Sequence, residues 1–402
     1  MRRPLIAIVL LLSCTAAPVT TASPPTMSLT PTPAVTAAAS PSPASNDLKL
    51  APAGDIRADH VLVAGVLGSS SAGVASQPRI WDVPLDGSAP RQLVAYTRGP
   101  PIVTDFDYFE FSRQLSRDGR QLVLADPVDV AGTALLVVDL ITGTARNIPI
   151  GGGATQPAWS PDGQRIAYRG FTVVGPLQKE SGIWVVPASG GTPRQVMASD
   201  RPAGAGATTV YGWTEDGAAI AFARDYTDAS VVEITTGKIT RLGGAIHGIA
   251  WRTKQPSVAI VFDDQPGTAN AARVGHVEVR DTTTSVATLV ARYGPSEGTF
   301  FLAPQWNPRS DDLMLLWASG QGLSTRNQIV IVDNVTAQQR LTTTTTPRSA
   351  AWSADGTRIV YGDLTAMHLM NRDGSDDREL FRPAAPPGVQ QFLIAAIAFA
   401  SR

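Results

Sequence analysis

One twelve-residue pattern recurs along this chain and constrains its fold more than any other feature. One copy reads Pro157-Ala158-Trp159-Ser160-Pro161-Asp162-Gly163-Gln164-Arg165-Ile166-Ala167-Tyr168. Another reads Ala350-Ala351-Trp352-Ser353-Ala354-Asp355-Gly356-Thr357-Arg358-Ile359-Val360-Tyr361. A third spans Tyr211–Phe222, and Leu115–Leu124 is a degraded copy. Two more units keep Trp251 and Trp306 but lack the Asp-Gly pair. Each copy describes a strand a, a tight turn and a strand b, because Asp-Gly supplies a positive φ at low steric cost. A second half-motif follows, as in Ile183-Trp184-Val185-Val186-Pro187 and its near duplicate Ile80-Trp81-Asp82-Val83-Pro84. It supplies strands c and d, so each unit is expected to hold four strands.

The strand a anchors are Leu115, Trp159, Trp213, Trp251, Trp306 and Trp352, spaced 38 to 55 residues apart. Four-stranded units of about 40–50 residues indicate blades of a β-propeller, an all-β fold. The ends supply a seventh blade. His60-Val61-Leu62-Val63-Ala64 reads as a strand b without its strand a, and Ala396–Ala400 reads as a strand a with Phe399 in the tryptophan place. A C-terminal strand completing the N-terminal blade closes the ring and removes its open edges. Seven blades are therefore expected over residues 58–402. Six or eight remain as alternatives, because residues 94–115 are poorly patterned.

The Trp159-Ser160-Pro161-Asp162-Gly163 motif and its copies resemble the WD40-like repeat of TolB-type propellers. The same repeat occurs in the propeller domains of prolyl-oligopeptidase-like peptidases and in oligogalacturonate lyases. The resemblance implies a fold; its motifs are weak for function. The TolB family carries an α/β domain before its propeller, and here that place holds a different kind of segment, so TolB's own role is not implied.

That segment is an address. Arg2 and Arg3 precede the apolar run Leu5–Leu12, which is shorter than the ~20 residues needed to span a bilayer and fits an export signal. Leu11-Leu12-Ser13-Cys14 resembles the lipobox of bacterial lipoproteins, which implies cleavage after residue 13 and a diacylglyceryl Cys14. An ordinary secretory signal is the alternative. Of residues 15–45, 27 are Pro, Ser, Thr or Ala, and none is charged or aromatic. Such a stretch has nothing to bury, and its prolines stiffen it, reaching about 95 Å at ~3.1 Å per residue. Residues 14–57 are expected to be a lipidated tether holding an extracytoplasmic propeller to a membrane.

Composition narrows the function. The chain holds 33 Lys+Arg against 34 Asp+Glu, so it has no basic excess for nucleic acid. Its one cysteine excludes an intramolecular disulfide and a Cys-based zinc cluster. The four histidines, His60, His247, His276 and His368, share no metal-ligand spacing, and no cofactor motif appears. Gly68–Gly73 lacks the spacing of a nucleophile elbow, and no catalytic domain is expected after Arg402. Asn371–Asp377 faintly suggests a calcium loop but aligns with the c–d turns. The recurring tryptophans, turn aspartates and Arg91, Arg194, Arg241 and Arg340 are expected to serve architecture, since they repeat with the blades.

Function is then expected where the blades differ. The a–b and c–d turns are short and repetitive, whereas the b–c and d–a connections are long and variable and lie on the opposite face. Asp105, Asp107, Tyr108, Phe109, Tyr226, Arg292, Tyr293, Phe300 and Phe301 are the binding candidates there, with Phe300 and Phe301 alternatively plugging a blade junction. Charged groups beside aromatics suit an interface with a protein or envelope ligand. The expected function is non-catalytic binding. The alternative is a channel-centred enzyme such as a polysaccharide lyase.

Overall fold

The computed structural model describes residues 48–54, 59–68, 78–96, 111–125, 134–174, 177–199, 208–224, 227–265, 274–293, 299–319, 326–333, 337–363, 365–384 and 391–399. They form seven antiparallel sheets, the blades of a β-propeller. Blade 1 begins with β1 (Leu48–Leu50), β2 (His60–Gly68), β3 (Pro78–Pro84) and β4 (Arg91–Tyr96). Blade 2 has a short helix α1 (Phe111–Gln114), then β5 (Gln121–Ala125), β6 (Ala134–Asp139) and β7 (Thr144–Pro149). Blade 3 contains β8 (Gly153–Trp159), β9 (Arg165–Val174), β10 (Leu177–Pro187) and β11 (Arg194–Ala198). Blade 4 contains β12 (Thr208–Trp213), β13 (Ala219–Arg224), β14 (Asp228–Glu233) and β15 (Ile239–Arg241). Blade 5 contains β16 (Ala245–Trp251), β17 (Ser257–Asp263), β18 (Gly275–Asp281) and β19 (Ala287–Tyr293). Blade 6 contains β20 (Thr299–Trp306), β21 (Leu313–Ser319), β22 (Arg326–Asp333) and β23 (Ala337–Leu341). Blade 7 contains β24 (Ser349–Trp352), β25 (Arg358–Gly362), β26 (Met367–Asn371) and β27 (Arg378–Phe381). The final strand, β28 (Gln391–Phe399), returns to blade 1.

The core explains why the strand runs are apolar on both faces. It is divided into seven clusters, each lying between two consecutive blades. On β5, Leu122 and Leu124 pack toward blade 1 while Val123 packs toward blade 3. Alternation still sorts the side chains, but both sets are buried. The seventh cluster joins Val61, Val63, Val83 and Leu85 of blade 1 to Ala351, Val360, Met367 and Leu369 of blade 7, so the ring closes.

The closure follows the expected route. β28 pairs antiparallel with β2, with Phe399 opposite Val61, Ile397 opposite Val63 and Ala396 opposite Ala64. The tryptophan anchors likewise act between blades. Trp213 donates its indole N–H to the Ala158 carbonyl at 3.0 Å, Trp306 to Ala250 at 3.1 Å and Trp352 to Gln305 at 3.3 Å. Each acceptor precedes the anchor of the preceding blade.

Two sequence readings are corrected. Leu48–Leu50, read as tether, is a fifth strand of blade 1: Leu48 pairs opposite Tyr96 and Leu50 opposite Val94. Its two leucines pack on the core between blades 1 and 2 while Lys49 stays exposed, a minimal amphipathic strand. Blade 2 is irregular at its strand a. Among the described residues its sheet holds three strands, and Leu115 makes a single bridge to Leu122 behind α1. Phe111-Ser112-Arg113-Gln114 lacks the β-branched residues that favour a strand, and its Arg and Gln are good helix formers. Among the described residues, no helix is long and apolar enough to cross a membrane.

The c–d turns contain one misfit. In blades 2, 4 and 5 the turn closes with a backbone bond from residue i+4 to residue i, and the donor has positive φ. The donor is Gly143 (φ 65°) or Gly237 (φ 71°) in two of them, but Ser285 (φ 61°) in blade 5. A left-handed non-glycine residue costs about 1–2 kcal/mol, partly offset by the greater entropy of an unfolded glycine. Ser285→Gly is expected to raise unfolding stability by roughly 0.5–1 kcal/mol in urea titrations. A drop would show that the Ser285 side chain contributes more than its backbone strain costs.

Candidate functional site

The two faces of the ring differ in how their polar groups are arranged. On the a–b side the recurring Asp is consumed by its own turn. In blade 3 the Ser160 hydroxyl donates to Asp162 at 2.5 Å, the Gln164 amide donates to Asp162 at 3.0 Å, and the Arg165 amide donates to Ser160 Oγ at 2.9 Å. The same three bonds recur around Ser116 and Asp118, Thr214 and Asp216, and Ser353 and Asp355. The Thr214 hydroxyl, working against partial burial and aided by the Ala218 amide, holds the Asp216 carboxyl below the usual range. The Asp-Gly pair is thus a turn lock, and Gly163 supplies the left-handed residue (φ 68°) that ends it.

Three of the recurring arginines are also spoken for. Arg91 pairs with the fully buried Asp82 at 2.6 Å and donates to the Ala53 carbonyl, and Arg194 reaches the Ile234 carbonyl of the next blade. Arg241 pairs with Asp228 at 2.6 Å.

Blade 6 lacks the Asp lock, and a cleft of about 510 Å³ opens there against blade 7. Its groups staple the two blades. Asn307 accepts the Arg309 and Ser310 amides and donates to the Gly356 carbonyl, while Arg372 reaches across to Asp312 at 2.5 Å. The Arg372 hydrogen bond, set against burial, lowers the Asp312 pKa. Asp311 pairs with Arg252 of blade 5.

On the b–c and d–a side, polar and aromatic groups gather at the strand ends, and each blade carries a different set. In blade 3, Arg169 pairs with the buried Glu180 at 2.9 Å, and Glu180 accepts the Thr208 hydroxyl (2.5 Å) and amide (3.1 Å) from blade 4. In blade 5, adjacent Asp263 and Asp264 each hold one histidine. His247 Nε2 lies 3.2 Å from Asp263, and His276 Nδ1 lies 2.8 Å from Asp264. His276 also stacks on Phe262, with centroids 4.9 Å apart. A bulge between Ile246 and Gly248 places His247 on the inner strand.

In blade 7, Tyr361 stacks on His368 at 4.9 Å and hydrogen-bonds Asp377 at 2.6 Å. Burial first, then the Asp377 carboxylate, push the Tyr361 phenol up to about 12. His368 lies 3.4 Å from Asp363. Each of the four histidines has a carboxylate neighbour, His60 with Asp82 at 2.8 Å being the fourth. Among the described residues, no group of three or more His, Cys, Asp or Glu side chains is placed to hold a metal.

Of the sequence-predicted residues, Arg292 is exposed on β19, directly opposite His276 in the sheet register. Tyr293 ends that strand, and Phe300 and Phe301 begin β20. Arg292 therefore joins the blade 5 set. Asp105, Asp107, Tyr108, Phe109, Tyr226 and the lipidation candidate Cys14 lie outside the described residues. Residues 263–276 fall on the variable face expected from sequence, but Asp263 and Asp264 are not among the candidates named there. Their signal was present: two adjacent acids end a strand b whose neighbouring strands each carry a histidine.

No family model matches the chain, and no curated protein sequence matches it. Solved structures do. The propeller domain of the trilobed protease from Pyrococcus furiosus, which has an open velcro topology, is 10% identical over 86% of this chain and 99% of its own, with a TM-score of 0.52. An oligogalacturonate lyase from Vibrio parahaemolyticus is 12% identical over 80% and 86%, with a TM-score of 0.50. A protein assigned as TolB from Agrobacterium tumefaciens is 16% identical over 70% and 82%, with a TM-score of 0.39. At these identities the likeness concerns the β-propeller fold alone.

Proposed function

We propose that this chain is an extracytoplasmic, lipid-anchored binding propeller whose partner, a protein or cell-envelope ligand, meets the b–c and d–a face. One observation carries the reading: the unlike allocation of polar groups between the two faces. The turn aspartates are held by the same three bonds in four blades, which serves the architecture common to them. The opposite strand ends carry Arg169 with Glu180 in blade 3, His276 with Arg292 in blade 5 and Tyr361 with His368 in blade 7. Only features that differ between blades can distinguish one partner from another. Cys14 supplies the anchor and residues 15–45 the spacing from the membrane.

The test compares faces. With a partner captured from envelope extracts, Arg292→Ala, Tyr293→Ala and Tyr108→Ala are expected to weaken binding. Truncating an aromatic hot spot costs ~2 kcal/mol or more, about a thirtyfold loss in affinity. Asp162→Ala removes two of the three hydrogen bonds of its turn lock and is expected to cost roughly 1–2 kcal/mol of stability while leaving affinity within about twofold. Binding lost through Asp162→Ala alone reverses the assignment of faces. Lyase activity in the purified propeller, abolished at His247 or His276, overturns the non-catalytic reading.

A further inference from the structure

We propose that residues 112–115 form a two-state element: the helix α1 seen here, and an inner strand that completes blade 2. The first observation is a cluster of unmet hydrogen-bonding groups where α1 takes the place of strand a. Gln114 is 2% exposed, and neither its Oε1 nor its Nε2 has a partner. On the facing strand β8, Thr155 Oγ1 and Trp159 Nε1 are buried without partners as well. Buried polar groups are rarely left so.

The repeat shows what Trp159 lacks. Trp213, Trp306 and Trp352 each donate to the carbonyl of the residue before the preceding blade's anchor. For Trp159 that residue is Gln114, which α1 holds in a helix. Trp251 is also unpartnered, and the corresponding residue there is Gly212, turned to φ 110°. Both orphaned indoles thus adjoin an irregular inner segment, the helix before Leu115 in one case and the bulge of β12 before Trp213 in the other.

The second observation is the edge of β5. Among the described residues it pairs with β6 alone, apart from the Leu115–Leu122 bridge, although Leu122, Val123 and Leu124 are all buried. In blade 7 the equivalent strand meets Ser349-Ala350-Ala351-Trp352 in unbroken register, from Trp352 opposite Ile359 to Ser349 opposite Gly362. Ser112-Arg113-Gln114-Leu115 has the same length and starts on the same residue type. Extending the existing bridge sets Gln114 opposite Val123 and Ser112 opposite Ala125. That pairing occupies the β5 edge and presents the Gln114 carbonyl to Trp159.

A latch holds the helical arrangement. Arg113 Nη1 donates to the Val210 carbonyl at 2.9 Å, and its guanidinium lies 5.5 Å from the centre of the Tyr211 ring. Both partners belong to β12 of blade 4, so the latch bridges past blade 3. Releasing it frees the segment to turn over and couples the inner wall of three blades.

Cysteine trapping in a full-length Cys14→Ser chain tests the idea. Ser112→Cys with Ala125→Cys is expected to crosslink under mild oxidation while the protein stays folded. The Ala158→Cys with Ala167→Cys pair, already opposite in blade 3, sets the rate for a permanently formed strand pair. Adding Arg113→Ala to the test pair is expected to raise its crosslinking rate about tenfold, because the rate follows the strand population. A test pair that stays reduced while the control closes, or a rate that Arg113→Ala leaves unchanged, overturns the proposal. Hydrogen exchange on the single Arg113→Ala variant gives an independent reading. Protection gained at residues 122–124 supports the strand; faster exchange throughout 111–125 overturns it.

Discussion

A chain ending at Ala384 is expected to lose the native fold, with aggregation or the disappearance of a cooperative melt. The cut spares β27 and removes β28, which supplies the whole inner edge of blade 1. Eight residue pairs along β2 lose their partners, and Val61, Leu62, Val63 and Ala64 are each fully buried in the intact ring. Exposing a buried Val or Leu costs about 1.5–3 kcal/mol, so the three large side chains alone put at risk roughly 5 kcal/mol or more. That is comparable to the ~5–15 kcal/mol by which a domain is stable at all. The damage is not local. Val61 and Val63 belong to the cluster shared with blade 7, while Leu62 and Ala64 belong to the one shared with blade 2. The cut also leaves an apolar strand edge open to other chains. A truncated protein that melts with the full-length midpoint in calorimetry would remove closure as a source of stability.

The N-terminal side supplies the contrast. Deleting residues 15–45 is expected to leave the melting temperature unchanged within about 1 °C, since a Pro/Ser/Thr/Ala stretch buries nothing. Extending the deletion to residue 54 is expected to lower it clearly. That cut takes β1 from the edge of blade 1. It also removes Ala53, whose carbonyl accepts from Arg91 and whose amide donates to the Leu140 carbonyl at 2.8 Å. The folded region is therefore expected to begin no later than Leu48.

How much of this was legible follows from what repetition can encode. The Trp anchors and Asp-Gly turns recur because seven junctions pose the same packing problem, so blade number, strand order and closure were readable from spacing. Each misread place is one where a single blade departs from its siblings. Leu48-Lys49-Leu50 is too short to show periodicity against low-complexity sequence. Leu115 kept its apolar character and its bridge, but nothing in one residue reveals that the four before it form a helix. The candidate site was legible only in outline. Long b–c connections mark a face, but the His247–Asp263 and His276–Asp264 pairs need three strands in register before they meet. The cleft beside Asn307 was invisible for a related reason: it arises where the turn lock is missing, and pattern searches find what is present.

The largest effect outside the fold is expected at Cys14. Under the proposed anchoring, Cys14→Ala moves the protein from the membrane fraction to the released fraction, with a fall of about tenfold or more in the membrane-bound share. The size follows from acyl chain arithmetic. Each buried methylene contributes ~0.8 kcal/mol, so one chain holds only marginally and two hold stably, and this substitution removes both at once. Residues 15–45 are uncharged, and the described residues contain no membrane-spanning helix. Mass spectrometry of the wild-type membrane fraction should show a diacylglyceryl group on an N-terminal Cys14, and the Cys14→Ala propeller should melt as wild type does. A mature chain starting elsewhere, or a Cys14→Ala protein that stays with the membrane, would instead assign attachment to a partner on the loop face. Those two sources separate further with the face variants. Attachment through a partner should fall with Arg292→Ala or Tyr293→Ala, whereas attachment through the acyl chains should not respond to either.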